Sequence, residues 1–230
     1  MKKINTITLA MAFMLAAGLP LTSSATLVYQ NDFETDTSGF SGITSTQTNA
    51  GSQWLGSLSG GQSTALGLSG LTNGSSYSLA FDLFAGNSLD GSNSTYGMDY
   101  FRVDVDGDYL VNATFSNIPQ PGAFNQTYSD ATPLGTGSFG PMTGADVFSG
   151  NSSIYYFGHD AGNPIFTFTA TGTTANISFV GASSQSYSDE WFAIDNVVVT
   201  GNTATVPEPS SLALIALVLT GLGFSRRKKG

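Results

Sequence analysis

The stretch YFRVDVDGDYLV, beginning at Tyr100, places Phe101, Val103 and Val105 on one side and Arg102, Asp104 and Asp106 on the other. A period of two marks a half-buried strand, because successive side chains point to opposite faces of a sheet. SYSLAFDLFA repeats the pattern, with Tyr77, Leu79, Phe81 and Leu83 sharing one face. IFTFTA, ANISFVG and WFAIDNVVVT continue the series with β-branched and aromatic residues, and Gly, Asn and Ser fill the gaps. From Thr26 to Thr205 no segment carries an apolar stripe of helical period. Many short strands with Gly-rich connections predict an all-β fold, a two-sheet β-sandwich or jelly roll in which each sheet buries one face. The region 115–150, which holds Pro119, Pro121, Pro133 and Pro141, is expected as long loops.

The two ends read differently. Lys2 and Lys3, the apolar run Ile4 to Leu21 and the small residues Ser23-Ser24-Ala25 have the order of a signal peptide, predicting a mature chain from Thr26. At the other end, Pro207-Glu208-Pro209 precedes thirteen mostly apolar residues, Leu212 to Phe224, and then Arg226, Arg227, Lys228 and Lys229. Thirteen is short of the roughly 20 that a spanning helix needs, which speaks for a temporary span over a permanent anchor. The basic cluster predicts a cytoplasmic C-terminus, and the two prolines hold Glu208 in extended backbone outside the membrane.

This tail resembles the PEP-CTERM sorting signal of exported bacterial proteins. The resemblance implies recognition and removal by the membrane enzyme exosortase, transient insertion in the inner membrane, and delivery to the cell envelope, outer surface or extracellular matrix. Three segments follow: 1–25 as signal peptide with its helix, 26–205 as the sandwich, and 206–230 as the sorting segment with a short hydrophobic helix.

Charge narrows the function of the body. Between Thr26 and Thr205 Arg102 is the only Lys or Arg, against fifteen Asp and Glu. Such a surface repels phosphates, which excludes nucleic-acid binding. It also repels itself unless cations sit among the carboxylates, and calcium is the natural candidate outside the cell. No cysteine is present, so no disulfide holds the fold.

NDFETDTSGFSG near the start and DEWFAIDNVVV near the end resemble the first and last strands of jelly-roll domains related to carbohydrate-binding modules. By that resemblance Glu34 and Asp195 would hold a structural Ca2+. The run LFAGNSLDGSNSTYGMDYFRVDVDG is similar to one found in exported jelly-roll proteins with this tail, and it gives Asp90 and Asp99 as a second candidate cation site. Asp104 to Asp108 lacks the spacing and closing Glu of an EF-hand, whereas Asp-Gly between alternating strands signals a hairpin, which is the expectation here.

Trp54, Tyr155, Tyr156 and Trp191 could stack on sugars if exposed, but aromatics of a small sandwich are expected in its core. Catalysis has little to work with. His159 is the single histidine and is expected in a solvated loop beside Asp160, no G-x-S-x-G elbow occurs, and zinc lacks nitrogen and sulfur ligands. The sequence therefore predicts a non-enzymatic exported protein associated with exopolysaccharide. The alternative is a module that binds a specific glycan.

Overall fold

The computed structural model describes residues 25–148, 151–159, 163, 165–185 and 187–202. The signal segment, Pro207-Glu208-Pro209, Arg226, Arg227, Lys228, Lys229 and both expected terminal helices lie outside the described residues. Contacts delimit one compact unit, Thr26–Asn202.

Two antiparallel sheets build it. The eight-stranded sheet runs β3 (Thr46–Asn49), β4 (Ser52–Leu58), β13 (Glu190–Asn202), β6 (Ser76–Asn87), β10 (Ser153–Phe157) and β9 (Asp146–Val147). In the same sheet β1 (Ala25–Asn31) also pairs with β13, and β11 (Phe166–Thr169) with β6. The five-stranded sheet runs β2 (Phe40–Gly42), β5 (Gln62–Ser69), β12 (Thr174–Ala182), β7 (Tyr100–Val105) and β8 (Asp108–Thr114). No helix occurs among the described residues. The fold is an all-β sandwich.

Inward positions of both sheets fill one core. Leu79, Phe81 and Leu83 of β6 meet Phe101 and Val103 of β7 and Ile177 and Phe179 of β12. The ring of Phe81 lies 4.8 Å from Phe157, 5.3 Å from Phe179 and 6.3 Å from Phe101, so one side chain touches both sheets. The Asp-Gly hairpin forms as expected: Val105 pairs with Asp108, and Asp106 and Gly107 take φ of 52° and 99° between them. Positive φ at both turn residues matches the twist of the flanking strands. Loops dominate 115–145, with a single bridge, Gln126 to Phe139, inside that stretch.

One expectation needs correcting. Strand β7 is buried on one side only, but β6 is buried on both faces from Tyr77 to Gly86. It lies between β13 on one side and β10 and β11 on the other, and a second apolar cluster covers its outer face: Trp54, Phe84, Ile154, Trp191 and Ala193. Trp191 is buried, 8% exposed, yet it belongs to this outer cluster and not to the core between the sheets.

Candidate functional site

The carboxylates gather at two places, and strand β13 contributes to both. In β13 the register slips between Asp195 and Val198, and Asn196 adopts φ of 50°. Such a bulge adds one residue to the strand. Ile194 and Val197 both reach the core as a result, while Asp195 and Asn196 serve the polar groups beside β6.

At the first place Glu34, from the loop after β1, meets Asp195. The Ser52 hydroxyl lies 2.7 Å from Glu34 Oε1 and 2.9 Å from Asp195 Oδ2, and the Gln53 amide donates to Glu34 Oε1 at 2.8 Å. A hydroxyl has one proton for these two carboxylates. The Asn196 amide donates to Asp195 Oδ1, and the Asn196 side chain donates to Asp82 Oδ2, both at 2.7 Å. His159 Nδ1 stands 2.7 Å from Asp82 Oδ1, so the histidine, exposed in the turn after β10 as expected, also contacts a buried acid on β6. The ligand atoms shared by Glu34, Ser52 and Asp195 are all oxygens, the chemistry a hard cation takes.

At the second place Asp90 follows β6, Asp99 precedes β7, and Glu190 opens β13. The three residues are 6%, 0% and 0% exposed, and one carboxylate oxygen from each lies within 4.8 Å of the others. The Asp90 amide donates to Asp99 Oδ2, and Gln185 Nε2 donates to Asp90 Oδ2 at 3.1 Å and to Glu190 Oε1 at 3.3 Å. Asp99 Oδ1 and Glu190 Oε2 are enclosed without any hydrogen-bond partner.

Burial pushes Asp195 up to about 6, opposed by Ser52 and the Asn196 amide and reinforced by the charges of Asp82 and Glu34. Glu34 moves the other way, because the Gln53 amide and the Ser52 hydroxyl stabilise its charge. Burial also raises Asp90, Asp99 and Glu190, and the Asp99 charge lifts Glu190 further.

The five-stranded sheet carries the one cation of the body. The Arg102 guanidinium lies 5.3 Å from the Tyr100 ring and 5.9 Å from Tyr109, and Arg102 lines a shallow depression of ≈ 230 Å³ with Tyr100, Asn112, Thr114 and Thr127. Trp54, Tyr155 and Trp191 are all buried, so none of them is displayed as a sugar platform.

Residues 205–228 match the PEP-CTERM protein-sorting motif. The chain carries a PEP-CTERM sorting signal. That signal marks an exported protein processed by exosortase. No curated protein matches the chain. Three solved structures share a likeness to the PEP-CTERM chain. The first is a family GH115 4-O-methyl-alpha-glucuronidase with specificity for decorated arabinogalactans, at TM-score 0.38 and 13% identity over 79% of this chain and 18% of that one. The second is the CBM2 module of the evolved Dit of Lactobacillus casei BL23 phage J-1, at 0.42 and 13%, over 80% and 99%. The third is the metal-free lectin I-B4 of Griffonia simplicifolia, at 0.35 and 12%, over 78% and 100%. The PEP-CTERM chain thus spans under a fifth of the length of the glucuronidase structure.

The structure brings Glu34 together with Asp195, and Asp90 together with Asp99, as the sequence paired them. Sequence reasoning missed Asp82 and Glu190 as members of these groups. Each had a signal: Asp82 interrupts an apolar run, and Glu190 stands directly before the apolar run Trp191 to Ile194.

One pH dependence follows from Asp195. A carboxyl raised in the folded state binds its proton more tightly there than in the unfolded chain. Its stabilisation is complete below about pH 4 and is lost as pH rises through the folded value of about 6. In calcium-free buffer the thermal midpoint is expected to fall across that window, and Asp195→Asn should flatten the fall. Parallel midpoint-against-pH curves for wild type and variant would contradict this account.

Proposed function

We propose that the mature protein is a non-catalytic component of the outer surface or extracellular matrix, associated with exopolysaccharide after exosortase has removed its tail. The sorting motif at residues 205–228 carries this reading, because it commits the chain to export. The character of the body supports the rest. Asp90, Asp99, Glu190 and Asp195 are enclosed, which leaves them unsuited to proton transfer with a polymer outside, and His159 is occupied by Asp82. Fourteen net negative charges keep such a body soluble and resistant to self-association. Calcium between Glu34 and Asp195, as the jelly-roll resemblance implies, would tie the loop after β1 to the last strand.

A second reading is favoured by one observation. Arg102 presents a planar cation between two tyrosine rings in a depression. A guanidinium beside an aromatic surface suits a specific glycan, especially one bearing a carboxylate.

One set of measurements separates the two. Mass spectrometry of the surface protein and its partition with exopolysaccharide are compared between wild type, an alanine replacement of Pro207-Glu208-Pro209, and Arg102→Ala. The matrix reading expects the tail to be absent from wild type and retained in the motif variant, with Arg102→Ala partitioning like wild type. Loss of one defined glycan from an array in Arg102→Ala would favour the binding module. Wild-type surface protein that still carries Leu212 to Gly230 would overturn the sorting step itself.

A further inference from the structure

The two carboxylate groups differ in how their charge is met. At Glu34 and Asp195 hydroxyl and amide donors reach the carboxylates. At Asp90, Asp99 and Glu190 three acids from three separate segments are buried together, and Gln185 is the neutral side chain that bridges two of them. Two oxygens, Asp99 Oδ1 and Glu190 Oε2, are shut off from water and receive no hydrogen bond from a neutral donor, although the Asp99 and Glu190 carboxyls stand close enough to share a proton. Among the described residues no Lys, Arg or His forms an ion pair with the three acids, the single ion pair being that of His159 with Asp82. Asp189 stands close enough to add repulsion, with its own carboxylate held by the Ser88 hydroxyl at 3.1 Å.

An enclosed carboxylate oxygen without a partner is among the most unfavourable groups a fold can hold. A proton shared between Asp99 and Glu190 is the only thing among the contacts described that can meet these two oxygens. A divalent ion would meet both at once. Calcium takes oxygen ligands at about 2.3–2.6 Å, so two oxygens on one ion stand at most about 5 Å apart. The three carboxylate oxygens lie within 4.8 Å of one another, inside that limit.

We propose that Asp90, Asp99 and Glu190 form a buried calcium site that staples the start of β13 to both ends of the β6–β7 connection. Because β6 and β13 belong to the eight-stranded sheet and β7 to the five-stranded one, the ion joins the two layers at one end of the sandwich. It does so in a chain without cysteine, where no disulfide can take that role. The site is separate from Glu34 and Asp195 and needs neither of them.

The test uses the full chain, stripped with a chelator and titrated with calcium chloride alone, with bound calcium counted by elemental analysis and stability followed by thermal midpoint. Glu190→Gln and Asp99→Asn keep shape and remove one carboxylate ligand each. The expected result has two opposite signs. Without calcium both variants melt higher than wild type, because repulsion in the cluster is relieved. With calcium wild type gains several degrees, as expected for ligand well above its dissociation constant. The variants lose one bound ion and most of that gain. Should either variant fold poorly, the other supplies the same comparison. Wild type that binds no calcium, or Glu190→Gln and Asp99→Asn that retain its full stoichiometry and affinity, would overturn the proposal.

Discussion

Phe81→Ala is expected to remove about 3–5 kcal/mol of folding stability, the usual range for deleting a buried aromatic ring. Phe81 is fully buried on the central strand β6 and packs against rings from β7, β10, β11 and β12. Rings from both sheets line the void, and such sites relax only partly. A typical domain holds only about 5–15 kcal/mol in total, so the variant should unfold at a far lower urea concentration. Leu27→Ala provides the contrast: this side chain is 57% exposed and should change stability by no more than about 0.5 kcal/mol. A loss below about 1 kcal/mol for Phe81→Ala would show that the two sheets are not packed through this ring.

Trp191→Ala should cost a similar amount, about 3–5 kcal/mol, for a different reason. Its indole lies outside the core, stacked on Phe84 at 4.9 Å and 7° between planes, and it covers Gly86 directly across the ladder. A Cβ at Gly86 would come within 2.5 Å of the indole Cε2, so the glycine makes room for the ring. Gly86→Ala is therefore destabilising in wild type and close to neutral once Trp191 is alanine. A double-mutant cycle measures that coupling. An unchanged midpoint in Trp191→Ala together with lost polysaccharide binding would mean instead that the indole serves a ligand.

Legibility followed the physics of each segment. The alternation in β7 is complete because one face of it meets solvent, and the Asp106-Gly107 turn fixes its hairpin. In β6 the same alternation was visible in Tyr77, Leu79, Phe81 and Leu83, but the burial of Ala80, Asp82 and Phe84 depends on side chains from β4, β10 and β13 that no local pattern reports. Strand order was not legible, since β13 enters the sheet between β4 and β6 from far along the chain. At the acidic groups the four residues named from sequence do converge in pairs. Glu190 joins Asp99 only through tertiary structure, across 91 positions, and the acid that interrupts the apolar run of β6, Asp82, finds Asn196 and His159 only in the folded sheet. The bulge at Asn196 leaves no mark in composition, yet it sets which way Asp195 faces.

The position of β13 also sets an order of events in time. It pairs with β1, β4 and β6, so the eight-stranded sheet cannot close until the chain is available as far as Asn202. The sorting motif begins at residue 205, immediately afterwards. A chain threaded outward from its N-terminus would present β1, β4 and β6 while their shared partner is still inside. The last strand and the sorting segment arrive almost together. Closure of the sandwich and engagement of the tail would then be neighbouring steps, and an unfinished sheet would keep the edges of β4 and β6 open until then. Slowing the passage of the final strand would lengthen the interval in which those edges can pair with other chains.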